Sequence, residues 1–289
     1  MNLFQGLESS PVFLVCTVAI LGLLVGSFLN VVILRLPRMM EIAWKKECRE
    51  ILELPEEPAE RISLIYPPSR CPSCGAGIRP WQNVPVLSWL LLRGRCANCK
   101  APISAQYPLV EAATGLLSAL CAWHFGWGPQ LAAALLLTWA LVTLTVIDLR
   151  TMLLPDSITL PLLWLGLLLS LVPVFTDMRS ALIGAMAGYL SLWLVFHLFK
   201  LVTGKEGMGY GDFKLLAALG AWLGWQSLPM IVLLSSVVGA VVGIGLIAFR
   251  RLGREMPIPF GPYLAAAGWL AMVYGESLKS AYFGMAGLN

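Results

Sequence analysis

Apolar runs long enough to cross a bilayer recur along most of the chain. A hydrocarbon core about 30 Å thick is spanned by about 20 apolar residues in a helix. Runs near this length occupy residues 11–34, 107–124, 130–147, 157–174, 181–199, 213–227, 228–249 and 260–276. The sixth run is short and adjoins the seventh. The pattern predicts an all-α polytopic membrane protein with about eight transmembrane helices.

The first run is predicted to be a retained span rather than a signal peptide. No Lys or Arg precedes it, and its far end reads Gly26-Ser27-Phe28-Leu29-Asn30 rather than a cleavage site. Composition agrees with a membrane protein, because 58% of the 289 residues are hydrophobic, only 12% are charged and the mean hydropathy is +0.78. A soluble fold would have too little polar surface.

The positive charges predict the orientation. When the sides alternate from an external N-terminus, segments 35–106, 148–156, 200–214 and 250–259 lie on one side and hold 18 of the 20 Lys and Arg residues. Arg179 and Lys279 remain on the other side. Because cytosolic loops are enriched in positive charge, the charged side is predicted to be cytosolic and the N-terminus periplasmic.

The long polar stretch 35–106 is predicted to be a cytosolic, zinc-ribbon-like insert between helices 1 and 2. It separates a first transmembrane helix, 1–34, from a seven-helix membrane domain, 107–289. Two Cys-x-x-Cys knuckles lie within it, formed by Cys71, Cys74, Cys96 and Cys99. Four thiolates at this spacing complete the shell of a structural zinc. Disulfides are the alternative, but they conflict with a cytosolic location.

Two carboxylates at span ends are candidate catalytic residues. Asp148 ends the third run and Asp212 begins the sixth, both on the predicted cytosolic side. Ionisable groups at membrane depth are costly and commonly functional. Two carboxylates brought together can share one proton, which is the arrangement that an aspartyl protease uses to activate water.

Other residues near these positions have competing interpretations. Asp156 precedes an apolar run, where a helix N-cap explains it without chemistry. Glu111, just inside the second run, is either a third acidic group near the site or a partner for a loop Lys or Arg. The alternating Gly207, Gly209 and Gly211 would let an extended peptide approach the backbone closely, although a flexible loop is also rich in glycine.

The chain resembles the type IV prepilin peptidases along essentially its whole length. The residues that carry the resemblance are Gly26–Val32, Arg35-Leu36-Pro37, the paired Cys-x-x-Cys insert, Asp148, Glu206–Lys214 and Pro259–Pro262. The resemblance implies eight spans, a zinc-bearing cytosolic insert and an aspartyl protease of the Gly-x-Gly-Asp type in the bacterial inner membrane. Asp148 and Asp212 match its catalytic positions.

The resemblance also implies substrates and a second activity. The family cleaves the basic leader of type IV prepilins and type II secretion pseudopilins, and then N-methylates the new N-terminus from S-adenosylmethionine. Gly94 matches a position linked to methylation, whereas a turn glycine is the plain alternative. The expected partners are these substrates and the lipid bilayer, without nucleic acid.

Two other functions are compatible with the residues. Glu111, Asp148 and Asp212 would form a proton or cation relay in a transporter, although they lie at one face rather than at the midplane. A zinc-bearing membrane scaffold would need neither aspartate.

Overall fold

A computed structural model describes residues 3–55, 61–248 and 258–285 of the chain. Within these residues the regular structure is helical. The helices, in chain order, are α1 Leu3–Ser9, α2 Pro11–Ile51, α3 Leu87–Leu91, α4 Gln106–Phe125, α5 Pro129–Thr151, α6 Asp156–Leu169, α7 Met178–Thr203, α8 Tyr210–Leu223, α9 Leu228–Ala248 and α10 Gly261–Met285. The all-α prediction is therefore confirmed for the described part of the chain.

The chain forms two compact units, Met1–Trp127 and Gly128–Asn289. The first contains α1 to α4 and the cysteine-bearing insert, and the second contains α5 to α10.

Helix α2 is longer than the apolar run that predicts it. The Ser10 hydroxyl caps it by accepting from the Phe13 backbone N–H, and Pro11 occupies its first turn, where a missing N–H costs nothing. The helix continues through Pro37 to Ile51. Its polar extension carries exposed i,i+4 ion pairs, such as Lys45 with Glu41. The polar insert thus begins as a continuation of the first helix.

Small residues let α2 and α4 pack closely in the first unit. A side-chain carbon on Gly22 would lie 2.6 Å from the Ser118 hydroxyl, and one on Gly26 would lie 2.8 Å from the Glu111 Cα. Gly22 and Gly26, four residues apart on α2, thus form a close-packing face of small residues. This packing places Glu111 against the middle of α2, next to Gly26 and one turn from Asn30.

Helix α8 lies at the centre of the second unit. It packs against α6, α7 and α10, and nearly all of its side chains from Asp212 to Trp222 are buried. Gly184 of α7 and Gly220 of α8 bring the two backbones into contact. The buried Trp222 indole donates to the Leu162 carbonyl of α6 at 2.7 Å. These contacts hold α8, whose first turn carries Asp212, within the second unit.

The protein is a membrane protein. Among the described residues, four helical stretches are long and apolar enough to cross a bilayer: Pro11–Ile51, Pro129–Thr151, Met178–Thr203 and Trp225–Leu246. Helices α6 and α8 have only 14 residues each. The count of eight spans and the orientation stay predictions. The charged loop predicted at 250–259 lies mostly outside the described residues, as does the side chain of Lys279.

Candidate active site and metal centre

Asp148 lies in the last turn of α5. Its side chain is buried, with 4% of its surface exposed. The helix ends directly after it, because Met152 adopts the left-handed conformation and its N–H donates to the Asp148 carbonyl at 2.8 Å. The carboxylate is therefore held at a helix end, close to the point where the chain turns.

Asp212 lies in the first turn of α8. It is also buried, with 6% of its surface exposed. Gly209 is the N-cap residue, and its carbonyl accepts from the Asp212 N–H at 3.2 Å. The Gly209 backbone N–H in turn donates to the Asp212 carboxylate. A carboxylate in the first turn also interacts favourably with the positive end of the helix dipole.

The structure brings the two predicted aspartates together. Each carboxylate lies within electrostatic reach of the other. Asp148 Oδ2 and Asp212 Oδ1 are both buried and have no hydrogen-bond partner among the described residues. Buried carboxylate oxygens without partners are rare, since they lose their hydration without compensation. Two such oxygens at one place leave acceptor capacity for a water molecule or a substrate.

Gly261 completes this site; in the sequence it belongs to the Pro259–Pro262 segment, to which no catalytic role was assigned. It is the first residue of α10, and its backbone N–H donates to the Asp148 carboxylate. A side-chain carbon on Gly261 would lie 2.6 Å from Asp148 Oδ2. A glycine is therefore needed for this helix start to approach the carboxylate. The only sequence signal was the Phe260-Gly261-Pro262 motif, which is equally typical of an ordinary helix start.

Leu154 links the elements around the aspartates. A side-chain carbon on Gly211 would lie 2.7 Å from the Leu154 Cβ, and one on Gly261 would lie 3.1 Å from a Leu154 methyl carbon. Leu154 thus packs between the glycine preceding Asp212 and the glycine touching Asp148. A carbon on Gly209, by contrast, would meet nothing closer than 4.0 Å, so this part of the loop is open.

Asp156 has a different role from the one its position suggested. The N-cap of α6 is Pro155, which makes no side-chain capping bond, and Asp156 is the first helical residue. Both Asp156 oxygens accept from the Lys214 ammonium group at 2.7 Å. The capping hypothesis for Asp156 is wrong, because Pro155 occupies the N-cap position. The Asp156 carboxylate instead pairs with Lys214, which lies two residues after Asp212.

The four cysteines of the insert form one cluster. All four Sγ atoms lie within 4.8 Å of one another, and the thiols are free rather than joined as disulfides. Cys71 Sγ and Cys99 Sγ are 3.8 Å apart. Zn–S bonds of about 2.3 Å in a tetrahedron place sulfur atoms about 3.8 Å apart, so the donor set fits zinc.

The two knuckles repeat the same local fold. In the first, the Cys71 N–H donates to the Ala76 carbonyl, and in the second the Cys96 N–H donates to the Ala101 carbonyl. Each knuckle then turns through a residue in the left-handed conformation, Gly75 in the first and Lys100 in the second. The Ala76 backbone N–H and the Asn98 amide hydrogen-bond to Cys74 and lower the pKa of its thiol to about 6. In the same cluster, burial and hydrogen bonds with the neighbouring thiols raise the pKa of Cys99 to about 11, so the four thiols are not equally easy to deprotonate.

Glu111 and Gly94 both lie in the first unit. The Glu111 carboxylate accepts from the Val86 backbone N–H at 2.7 Å. This is a backbone partner, rather than the loop Lys or Arg that the sequence suggested. Gly94 has a φ of +65°, and a side-chain carbon on it would lie 2.8 Å from the Trp89 ring. Gly94 is therefore a turn glycine that also allows close packing of Trp89.

Comparison with known proteins gives concordant matches over nearly the whole chain. The model of the bacterial peptidase A24 N-terminal domain matches residues 20–125, and that of the type IV leader peptidase family matches residues 135–244. Proteins named prepilin leader peptidase/N-methyltransferase are similar over their full lengths. One from Stutzerimonas stutzeri is 57% identical over 98% of each chain, and one from Pseudomonas aeruginosa is 56% identical over 100% of each. No solved structure matches the chain.

Proposed function

Because the chain belongs to the type IV leader peptidase family, we propose that it is a prepilin peptidase in which Asp148 and Asp212 are the catalytic residues. One observation carries this assignment. The two carboxylates are buried, lie within electrostatic reach and each has an oxygen without a hydrogen-bond partner in the described part of the chain.

The pair can perform both proton transfers of peptide hydrolysis. Repulsion between adjacent carboxylates favours the state in which they hold one proton between them. The ionised carboxylate accepts a proton from water as the water oxygen bonds to the scissile carbonyl carbon. The protonated carboxyl group then donates its proton to the amide nitrogen as the C–N bond breaks.

Isosteric substitution tests the assignment. Asp148→Asn and Asp212→Asn should each reduce cleavage of a purified prepilin by about 10²- to 10⁴-fold, the range expected for loss of a general acid or base. Mass spectrometry of the new N-terminus measures the product directly. Asp156→Asn is the matched control, because it makes the same chemical change on a neighbouring carboxylate. Substantial cleavage by either of the first two variants would contradict the assignment.

We also propose that Cys71, Cys74, Cys96 and Cys99 hold one structural zinc ion. The free thiols and the clustering of all four Sγ atoms within 4.8 Å of one another support this. Four protein ligands close the coordination shell, so the ion would stabilise the insert rather than take part in hydrolysis. Bound zinc would supply the energy that holds the two knuckles together.

The second proposed activity is N-methylation of the newly exposed N-terminus with S-adenosylmethionine. The relatives from Stutzerimonas stutzeri and Pseudomonas aeruginosa are named for this activity as well. Mass spectrometry of the cleaved product, with and without S-adenosylmethionine, would detect the added methyl group.

The remaining proposals concern location and partners. We propose that the protein lies in the bacterial inner membrane with its N-terminus in the periplasm and its catalytic face in the cytosol. Its substrates would be type IV prepilins and type II secretion pseudopilins. The domain division into a first helix, 1–34, an insert, 35–106, and a seven-helix peptidase domain, 107–289, belongs to the same proposal. A transport function is not favoured, because the full-length relatives carry the name of a peptidase.

A further inference from the structure

A cavity of about 480 Å³ lies within the first compact unit. It is bounded by α2, the insert and the start of α4, and its lining includes Asn30, Trp89, Tyr107 and Glu111. Sites for small organic ligands are typically about 300–1,000 Å³ and combine an apolar wall with a few polar groups. The proposed peptidase residues Asp148 and Asp212 belong to the second unit and are not among the residues that line this cavity.

Asn30 offers the cavity a buried acceptor without a partner. The side chain is 2% exposed. Its amide nitrogen donates to the Tyr107 carbonyl at 3.1 Å and to the Gly26 carbonyl at 3.3 Å, which leaves Oδ1 as the free end of the amide. Asn30 Oδ1 has no hydrogen-bond partner among the described residues. Because buried polar atoms are nearly always paired, this oxygen indicates a ligand that carries a donor.

Glu111 provides a second acceptor in the same cavity. It is 8% exposed and its position is set by the Val86 backbone N–H, which donates to Oε2 at 2.7 Å. The Ser27 hydroxyl also hydrogen-bonds to this carboxylate. A buried carboxylate and an amide oxygen in the same cavity favour a cationic donor such as an ammonium group, since both groups accept and one carries negative charge.

Trp89 gives the cavity an apolar wall against which a flat ring of a ligand could pack. Its indole N–H donates to the Ile103 carbonyl at 3.2 Å, which fixes the ring orientation. Gly94 packs against the same ring, because a side-chain carbon on it would lie 2.8 Å from a Trp89 ring atom. Tyr107 adds a second aromatic residue to the lining. Aromatic faces of this kind pack well against a purine and attract a neighbouring cation.

We propose that this cavity binds S-adenosylmethionine, with Asn30 and Glu111 accepting hydrogen bonds from its α-ammonium group and Trp89 packing against its adenine. The inference rests on the proposed methyltransferase function and assigns that function a site. When bound, the ligand supplies an electrophilic methyl group for the amine of the cleaved substrate. The assignment also gives Gly94 a physical role, because a side chain there would displace Trp89 from the cavity wall.

Binding of two ligand fragments tests the proposal without measuring turnover. S-adenosylhomocysteine carries the α-ammonium group, whereas 5′-methylthioadenosine keeps the adenosine and lacks the amino-acid end. Calorimetry on the purified full-length protein would compare wild type with Glu111→Gln, in which the amide oxygen can still accept from Val86. We expect about ten- to 100-fold weaker binding of S-adenosylhomocysteine and little change for methylthioadenosine, as for loss of a charged hydrogen bond.

Further variants separate the two ends of the site. Asn30→Leu should weaken the binding of S-adenosylhomocysteine alone, as Glu111→Gln does. Trp89→Leu should weaken the binding of both S-adenosylhomocysteine and methylthioadenosine. Glu47→Gln is the matched control, because it makes the same change on an exposed residue of α2 outside the cavity. Thermal unfolding of each variant in detergent shows whether it folds. If Asn30→Leu fails to fold, Glu111→Gln still decides the matter.

The outcomes distinguish the site from the activity. Unchanged affinity for S-adenosylhomocysteine in folded Glu111→Gln and Trp89→Leu would overturn the site, while methylation by wild type would leave the activity standing. Failure of wild type to bind either fragment and to methylate a cleaved prepilin would overturn the methyltransferase function itself. A third outcome is that these variants still bind S-adenosylhomocysteine but no longer bind a peptide with a free N-terminal Phe. This would overturn the proposal and show that the cavity holds the amine of the substrate instead.

Discussion

Gly261→Ala provides the most specific test of the active-site geometry. The new methyl carbon would lie 2.6 Å from Asp148 Oδ2, whereas non-bonded heavy atoms are separated by about 3.5 Å. The second neighbour, Leu154, leaves little room for escape, because its methyl carbons lie 3.1 and 3.2 Å from the same point. The Asp148 carboxylate or the first turn of α10 must therefore move by about 0.9 Å.

A displacement of this size should reduce catalysis strongly without unfolding the protein. Misplacement of a catalytic group by about 1 Å costs on the order of 10²-fold in rate. We expect kcat/KM for prepilin cleavage to fall by about 30- to 100-fold, which corresponds to about 2–3 kcal/mol of transition-state stabilisation. The assay is quantitative mass spectrometry of the cleaved product, with thermal unfolding measured on the same sample.

The matched control is Gly245→Ala in α9, where a side-chain carbon meets nothing within 4 Å. It adds the same methyl group to a helix of the same unit and should leave cleavage within about twofold of wild type. Gly261→Ala with activity within about threefold of wild type would refute the inference that Gly261 sets the position of Asp148. Equal losses in both variants would point to general destabilisation.

Three further predictions concern groups around these sites. Purified protein should contain one zinc ion per chain by elemental analysis, and Cys96→Ser should lower both zinc content and melting temperature; a metal-free preparation of full stability and activity would contradict this. Lys214→Met and Asp156→Asn should each lower the free energy of unfolding by less than about 1 kcal/mol, because the Asp156 carboxylate of this ion pair is largely exposed. The double variant should lose no more than either single variant, since each change already breaks the pair. Additive losses would show that the two residues act separately. Cleavage should have a bell-shaped pH profile, because both the fully protonated and the fully ionised pair are inactive; a rate that rises steadily into alkali would exclude the paired mechanism.

The helices and the two aspartates could be predicted from the sequence for a clear physical reason. Apolar runs of the required length predict helices, and each of the eight runs corresponds to one of the longer helices observed. Asp148 and Asp212 stood out because charge is costly at the end of an apolar run. The family resemblance then matched both to one site, and the geometry brings them together.

The contacts that complete each site could not be predicted from the sequence, because they depend on tertiary packing. Nothing local distinguishes Asp156 as an N-cap from Asp156 as the partner of Lys214, which lies 58 residues away. Gly261 likewise matches an ordinary helix start until α10 is placed against α5. Asn30 was part of a recognised motif, yet only the packing of α2 against α4 shows that its amide oxygen has no partner.

The use of helix ends explains how two buried carboxylates can be tolerated at one place. Burial removes water from both, and their mutual repulsion adds to that cost. The first turns of α8 and α10 compensate, since the Gly209 and Gly261 backbone N–H groups donate to Asp212 and Asp148 respectively. These N–H groups are among those that a helix leaves unpaired at its start, so they are available without disrupting the helix. Every substitution except proline leaves such a backbone donor in place, and proline would also fix φ. Gly261 is therefore best tested by adding a methyl group that forces the donor and the carboxylate apart.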